Sequence, residues 1–375
     1  MLLAAVRGVD PPCRPVLFLA EAAGRCSNLG RIMTWSLPLS PTWRAIALSV
    51  SLGCSTMVFG PMAMAQQQGS VFLKPEAAIP LGAVRGRIDH LAVDPVRGRA
   101  FIAELENHSL GIVDLNSARL LRRITDLNEP QGVAYVPQTD TVFVANGGDG
   151  TVQSFRGEDF RAISRIELGS DADNIRVAGD PAFVYVGHGS GALAIIAAAS
   201  GSRRKDIVLA AHPESFQISR SSHQIFINLP DARSIAVIAP DEPQQPGSWA
   251  VGEGRRGNFA MALDDDNQHL IVVFRAPPKL DIRDMRDGSP LAERDTCGDA
   301  DDVFVDDRRQ RIYVICGEGF IDVFDARPDY AWLARIATRR GARTGLFNPT
   351  LDRLLVAVRA SANKPAALWV YRPLP

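Results

Sequence analysis

Acidic, basic and amide side chains recur along this 375-residue chain at intervals of roughly 42 residues. Asp89 and His90 begin the series. Gln131, Asp173 with Asn174, Glu214 with Ser215, Asn258, Asp301 with Asp302, and Arg343 continue it. A second series trails the first: Glu104, Asn146 and His188, with Asn228, Arg275, Cys316 and Arg359 at or near the same place in later intervals. Gathered at one place, such groups can hold a divalent cation, or supply a histidine general base with carboxylates as an electrostatic clamp. His90 and His188 are the candidate catalytic bases. Asp89, His90, Glu104, Asn146, Asp173, Asn174, His188, Glu214, Arg275, Asp302, Arg343 and Arg359 form the candidate ligand-binding set. Two other readings fit the same residues: strand ends that are polar because they meet water, and a pocket that binds a small polar ligand without catalysis. The donors come from separate intervals and no dense motif such as HExxH occurs, so no cofactor is firmly predicted, and a divalent cation stays an option.

A repeat is what would gather them. Each interval begins with an alternating strand: "DHLAVDP", "QGVAYVP", "DNIRVAG", "ESFQISR", "AMALDDD", "DDVFVDD" and "RTGLFNP". Their apolar anchors are Val93, Tyr135, Val177, Ile218, Leu263, Val305 and Leu346, spaced 42, 42, 41, 45, 42 and 41 residues apart. A second apolar strand follows each, such as "TVFVAN" or "RIYVIC", then usually a third after a Gly- or Asp-containing turn, and a shorter fourth. Four short strands per ~40–45 residues is the period of a propeller blade. Seven such units fill residues 66–375 and leave no room for a second domain, so the expected fold is all-β, a seven-bladed β-propeller. A lone blade cannot bury both faces of its sheet; closing the ring does so and removes the long open edges. A strand near Val71–Leu73 has no partners of its own, and the last unit ends at "ALWVYRPLP" one strand short. The N-terminal strand of the mature chain is therefore expected to complete the last blade. In a propeller the first strand of a blade begins, and the second ends, at one face, so both polar series are expected at the mouth of the central channel.

The hairpin "VFVANGGDGTVQSF" at residues 142–155 resembles the repeat of the YVTN/YncE-like β-propellers, with weaker copies at Ile225–Asn228 and Ile312–Phe324. The resemblance spans nearly all of the mature chain and implies the fold. The repeat hosts different activities, so it transfers no functional residue. Propeller lactonases and lyases place histidines and acids at the channel mouth, which supplies one of two functional readings: a metal-assisted hydrolase or lyase. The leading reading is an exported binding or scaffold protein whose polar funnel takes a small ligand, or whose face takes a protein partner.

The N-terminal 65 residues differ from the rest. The apolar run "AIALSVSLGCSTMVF" after Arg44, followed by the small-x-small site Ala63-Met64-Ala65, has the parts of a secretory signal peptide. Residues 33–65 are read as that signal, with Met33 as the start, and residues 1–32 as a non-native N-terminal extension. The expected location is periplasmic or secreted. The whole chain has a net charge of −1, and removing the first 65 residues with their five arginines and two acids leaves −4. That balance argues against nucleic acid. No apolar run reaches the ~18–20 residues needed to span a bilayer. A monomer is expected. The remaining cysteines, Cys297 and Cys316, are expected to form a disulfide on the channel face, with Cys316 opposite Asp301.

Overall fold

The computed structural model describes residues 71–375. The expected extension (1–32) and signal peptide (33–65) lie outside the described residues. Val, Ile and aromatic residues dominate the strand runs, and these side chains fit a pleated, half-buried surface. The second strands are packed on both faces and read as continuous apolar runs: all six residues of Arg311–Cys316 are buried. The outer strands meet water, and none of the residues of Arg119–Ile124 is fully buried.

The strands form seven four-stranded antiparallel sheets. Blades 1 to 6 occupy residues 91–124, 130–167, 172–208, 216–250, 256–295 and 300–337. Blade 7 takes Gly345–Asn348, Arg353–Val358 and Ala367–Pro373 from the end of the chain and Leu73–Pro80 from its beginning. The innermost strands of successive blades touch in order from blade 1 to blade 7, and blade 7 touches blade 1 again. The ring is closed, and the protein is a seven-bladed β-propeller. The closing strand runs from Leu73, paired with Pro373, to Pro80, paired with Ala367. It thus starts where the sequence reading had it end. Leu73 and Ile79, near the two ends of the strand, are buried; Lys74, Pro75 and Glu76 between them are exposed, and a bulge between Pro75 and Ala77 shifts the register.

In every blade the first anchor pairs with the residue seven positions later, as Val93 does with Ala100, Ile218 with Ile225 and Val305 with Ile312. By this register the anchor of blade 7 is Phe347, which pairs with Leu354. Leu346, the expected anchor, is its neighbour on the opposite face.

The core lies in the seams between blades. Phe101 of blade 1 packs with Val133 and Val142 of blade 2, and Leu355 and Leu368 of blade 7 pack with Leu91 and Ile102 of blade 1. Polar clamps tie some seams at the face opposite the channel mouth. Arg97 Nη1 donates to Asp94 (2.7 Å) and, across the seam, to Asp140 (2.8 Å). Arg309 Nη1 repeats this with Asp306 (3.0 Å) and Asp352 (2.7 Å).

Cys297 and Cys316 are bonded, with Cα atoms 5.8 Å apart. The bridge sits in the apolar cluster between blades 5 and 6 rather than on the channel face. A β-bulge between Ala300 and Asp302 shifts the register, so Cys316 stands opposite Ala300 and not Asp301. No helix among the described residues is long and apolar enough to cross a membrane.

Candidate functional site

Four residues before each anchor, the chain passes from the preceding blade along the rim of the channel. Asp89, Gln131, Asp173, Glu214, Phe259, Asp301 and Arg343 occupy that position, one per blade, and all line a single cavity of about 250 Å³. Arg87, Asp171 and His212, two residues earlier in blades 1, 3 and 4, complete its wall with His90 and Arg275. The close approach of neighbouring inner strands is what packs these groups together. At Gly132 a Cβ would come within 2.1 Å of the Asp173 carbonyl oxygen, so a glycine lets blade 2 reach the backbone that carries Asp173.

The cavity has two unlike sides. Around blades 5 to 7 the charges are paired. Arg343 Nε lies 2.7 Å from Asp301 Oδ2 and its Nη1 donates to Asp299 at 3.1 Å. Arg275 also donates to Asp301 and stacks on Phe259, 3.6 Å from the ring centre. The blade 3 and 4 side is richer in carboxylate. Asp173, His212 and Glu214 each turn a ligand atom inward, all within 4.8 Å of one another. His212 Nδ1 donates to the Gly189 carbonyl at 2.6 Å and lies 3.7 Å from Asp171 Oδ2. Its Nε2 faces Asp173 Oδ2 at 3.9 Å.

Crowded carboxylates in a half-dry cavity hold protons more tightly. Burial, with Asp173 and Asp301 nearby, pushes Glu214 up to about 8. Burial raises Asp89 to about 6; Asp301 and Asp173 add to this and His90 opposes it. The Asp173 carboxylate raises His212 to about 9 against the effect of burial.

Below the rim, the next residues His90, Gly132 and Asp302 line a second, deeper cavity of the channel. Asp301 faces the mouth, while Asp302 accepts from the Gly345 amide at 2.9 Å and lies 3.5 Å from His90 Nδ1. The two adjacent acids thus separate by facing different depths. Asn174 shares that lower layer and accepts from Arg176 at 3.3 Å.

Six of the expected site residues do not line the cavity: Asn174 and Asp302 lie below the rim, and Glu104, Asn146, His188 and Arg359 are drawn away from it. Glu104 is buried inside blade 1, accepting from Arg123 Nη2 at 2.9 Å and Ser109 Oγ at 2.6 Å. Asn146 donates to Thr151 at 3.1 Å within blade 2. His188 pairs with Asp206 of the outer strand at 3.1 Å, and burial holds it below the ordinary histidine range with Asp206 opposing. Arg359 donates to the Gly86 carbonyl at 3.2 Å and ties blade 7 to the loop before blade 1. Glu104, Asn146 and His188 turn to partners on the next strands of their own blades, whereas Arg275, from the same series, reaches the cavity. Of the two candidate bases, His90 alone lines the mouth.

Arg87, Asp171, His212 and Phe259 were missed. Arg87, Asp171 and His212 stand six residues before an anchor, upstream of the polar series, and Phe259 is the apolar occupant of the rim position in blade 5, beside the polar Asn258. A larger cleft of about 630 Å³ lies between blades 3 and 4, walled by Phe183, Tyr185, Ile195 and Ile238. Its walls are mainly apolar, whereas titratable groups converge on the mouth.

No protein-family model matches the chain, and no curated protein matches it in sequence. Some 1761 solved chains match in structure, a breadth that marks a fold rather than an activity. One is hydrazine synthase from Kuenenia stuttgartiensis: 16% identical, TM-score 0.66, covering 78% of this chain and 95% of that one. At that identity the likeness shows the propeller fold alone.

Proposed function

We propose that the protein is an exported binding protein that holds a small polar ligand in the mouth of its channel. The observation that carries this reading is the uneven charge of the cavity. Arg275 and Arg343 are spent on Asp299 and Asp301. The carboxylates of Asp173 and Glu214 have no arginine or lysine within 4 Å among the described residues. A cationic centre would neutralise Asp173, and a ligand's acceptor groups would meet Arg87 and the Nη2 of Arg343, the one guanidinium nitrogen of that residue not used on Asp299 or Asp301. The volume, about 250 Å³, equals that of roughly eight waters, which fits a small molecule and excludes a polymer segment of any length. The disulfide supports an oxidising compartment, in agreement with the signal-like N-terminal stretch. The "VFVANGGDGTVQSF" hairpin supports kinship with the YVTN/YncE-like propellers.

Native mass spectrometry of the purified full chain tests this. A small-molecule adduct on the wild type, lost in Arg343→Ala and Asp301→Asn variants of unchanged melting behaviour, is the expected result. An adduct retained in both variants, or no adduct after incubation with pooled polar metabolites, overturns it.

A further inference from the structure

We propose that Asp173, His212 and Glu214 form a binding site for one first-row divalent ion of the Zn²⁺ type, set in the wall between blades 3 and 4. This deepens the ligand-binding reading above and rests on it for location.

The three donors are placed by the repeat. Asp173 and Glu214 hold the same rim position in adjacent blades, and His212 stands two residues before Glu214. Their ligand atoms lie within 4.8 Å of one another. His212 Nδ1 is held by the Gly189 carbonyl at 2.6 Å. That bond fixes Nδ1 as a donor and turns Nε2 toward the cluster, where an entering ion would displace its proton; a backbone carbonyl orients a metal-binding imidazole in this way.

Asp173 supplies an independent observation. Its side chain is 10% exposed, and its nearest charged partner, His212 Nε2, is 3.9 Å away, beyond hydrogen-bond range. A carboxylate this buried and without a hydrogen-bonding side chain needs a counter-charge. Glu214 likewise has no ion pair with any described residue. One imidazole nitrogen with two carboxylates suits Zn²⁺ or Mn²⁺ better than Ca²⁺, which takes six or more oxygens. Three protein donors leave coordination positions open toward the cavity, where a polar ligand would complete the shell.

The test uses EDTA-treated, dialysed full-length protein titrated calorimetrically with ZnCl₂ alone. One Zn²⁺ per chain is expected, with a melting temperature raised by the ion and restored by EDTA. Asp173→Asn and His212→Gln should each weaken binding about tenfold or more, and His223→Gln, outside the mouth, should leave it unchanged. Stoichiometric binding that survives in both variants, or no stoichiometric binding to the wild type, overturns the proposal. If a variant fails to fold, Glu214→Gln carries the same expectation. An Arg343-dependent adduct on a protein that shows no stoichiometric Zn²⁺ binding would retain the ligand-binding reading while the metal site falls.

Discussion

His90 of blade 1 reaches past blade 7 to place its Nδ1 3.5 Å from Asp302 Oδ2 of blade 6. This pair spans the sector closed by the N-terminal strand, at the floor of the mouth cavity. Burial disfavours a charged imidazole there, but the Asp302 carboxylate outweighs it, with Asp89 and Asp173 adding to the effect, and His90 is pushed up to about 10.

A pH dependence follows. The folded pKa lies above the unfolded value near 6.5, so between the two the native state holds a proton the unfolded chain has released. The stabilisation is full below about pH 6.5 and fades as the pH rises toward about 10. His90→Gln should therefore lower the melting temperature by several degrees at pH 6, since stranding a buried carboxylate costs about 3 kcal/mol or more. The gap to the wild type should narrow steadily toward pH 10. Melting curves of both proteins across that window check it, and a constant gap would contradict the pairing.

Glu104 and Asp173 were both sequence candidates and differ in the fold. Glu104→Ala removes the partner of Arg123 and Ser109. It should cost about 2–3 kcal/mol of stability, in the range for hydrogen bonds to charged groups. Ligand binding by the fraction that remains folded should be unaffected. Asp173→Asn, at the cavity wall and with no hydrogen-bonding side chain, should do the reverse: small change in denaturant midpoint, clear loss of binding. Chemical denaturation beside a binding assay separates the two.

The Cys297–Cys316 bridge closes a short loop, with the cysteines 19 residues apart in sequence. In the chain-entropy model such a bridge is worth about 3 kcal/mol. Reductant should lower the melting temperature of the wild type and leave a Cys297→Ala/Cys316→Ala double variant unchanged. Mass analysis after alkylation without reductant should show no modified cysteine at either position.

Blade 7 depends on Leu73–Pro80, whose Ile79 packs with Leu91, Ile102 and Leu368. Deleting residues 66–81 opens the ring and exposes an unpaired edge. The deletion should abolish cooperative unfolding in calorimetry; a melting curve like that of the full chain would contradict ring closure by this strand.

The architecture was legible because the repeat writes it seven times. Anchors such as Val93, Tyr135 and Val305 fall in inner strands as expected, since a period of roughly 42 residues tolerates small local errors. Blade 7 shows such an error: "RTGLFNP" offers Leu346 and Phe347 as anchors, and only the pairing of Phe347 with Leu354 decides between them. The site was half legible. Asp89, Asp173, Glu214 and Arg343 were found because they hold one position in the repeat; in blade 6 the candidate was Asp302, and its neighbour Asp301 lines the cavity instead. Glu104, Asn146 and His188 were misplaced because the direction of a strand-end side chain depends on how the blades pack. His212 escaped because it lies two residues upstream of the rim position that the repeat marks.

The most direct test of the account is a crystal structure of the full-length protein carrying whatever adduct native mass spectrometry detects. Ordered ligand density within reach of Asp173, Glu214 and Arg343, inside the mouth cavity, is the predicted result. Density in the apolar cleft between blades 3 and 4, or at the face opposite the mouth, would contradict it.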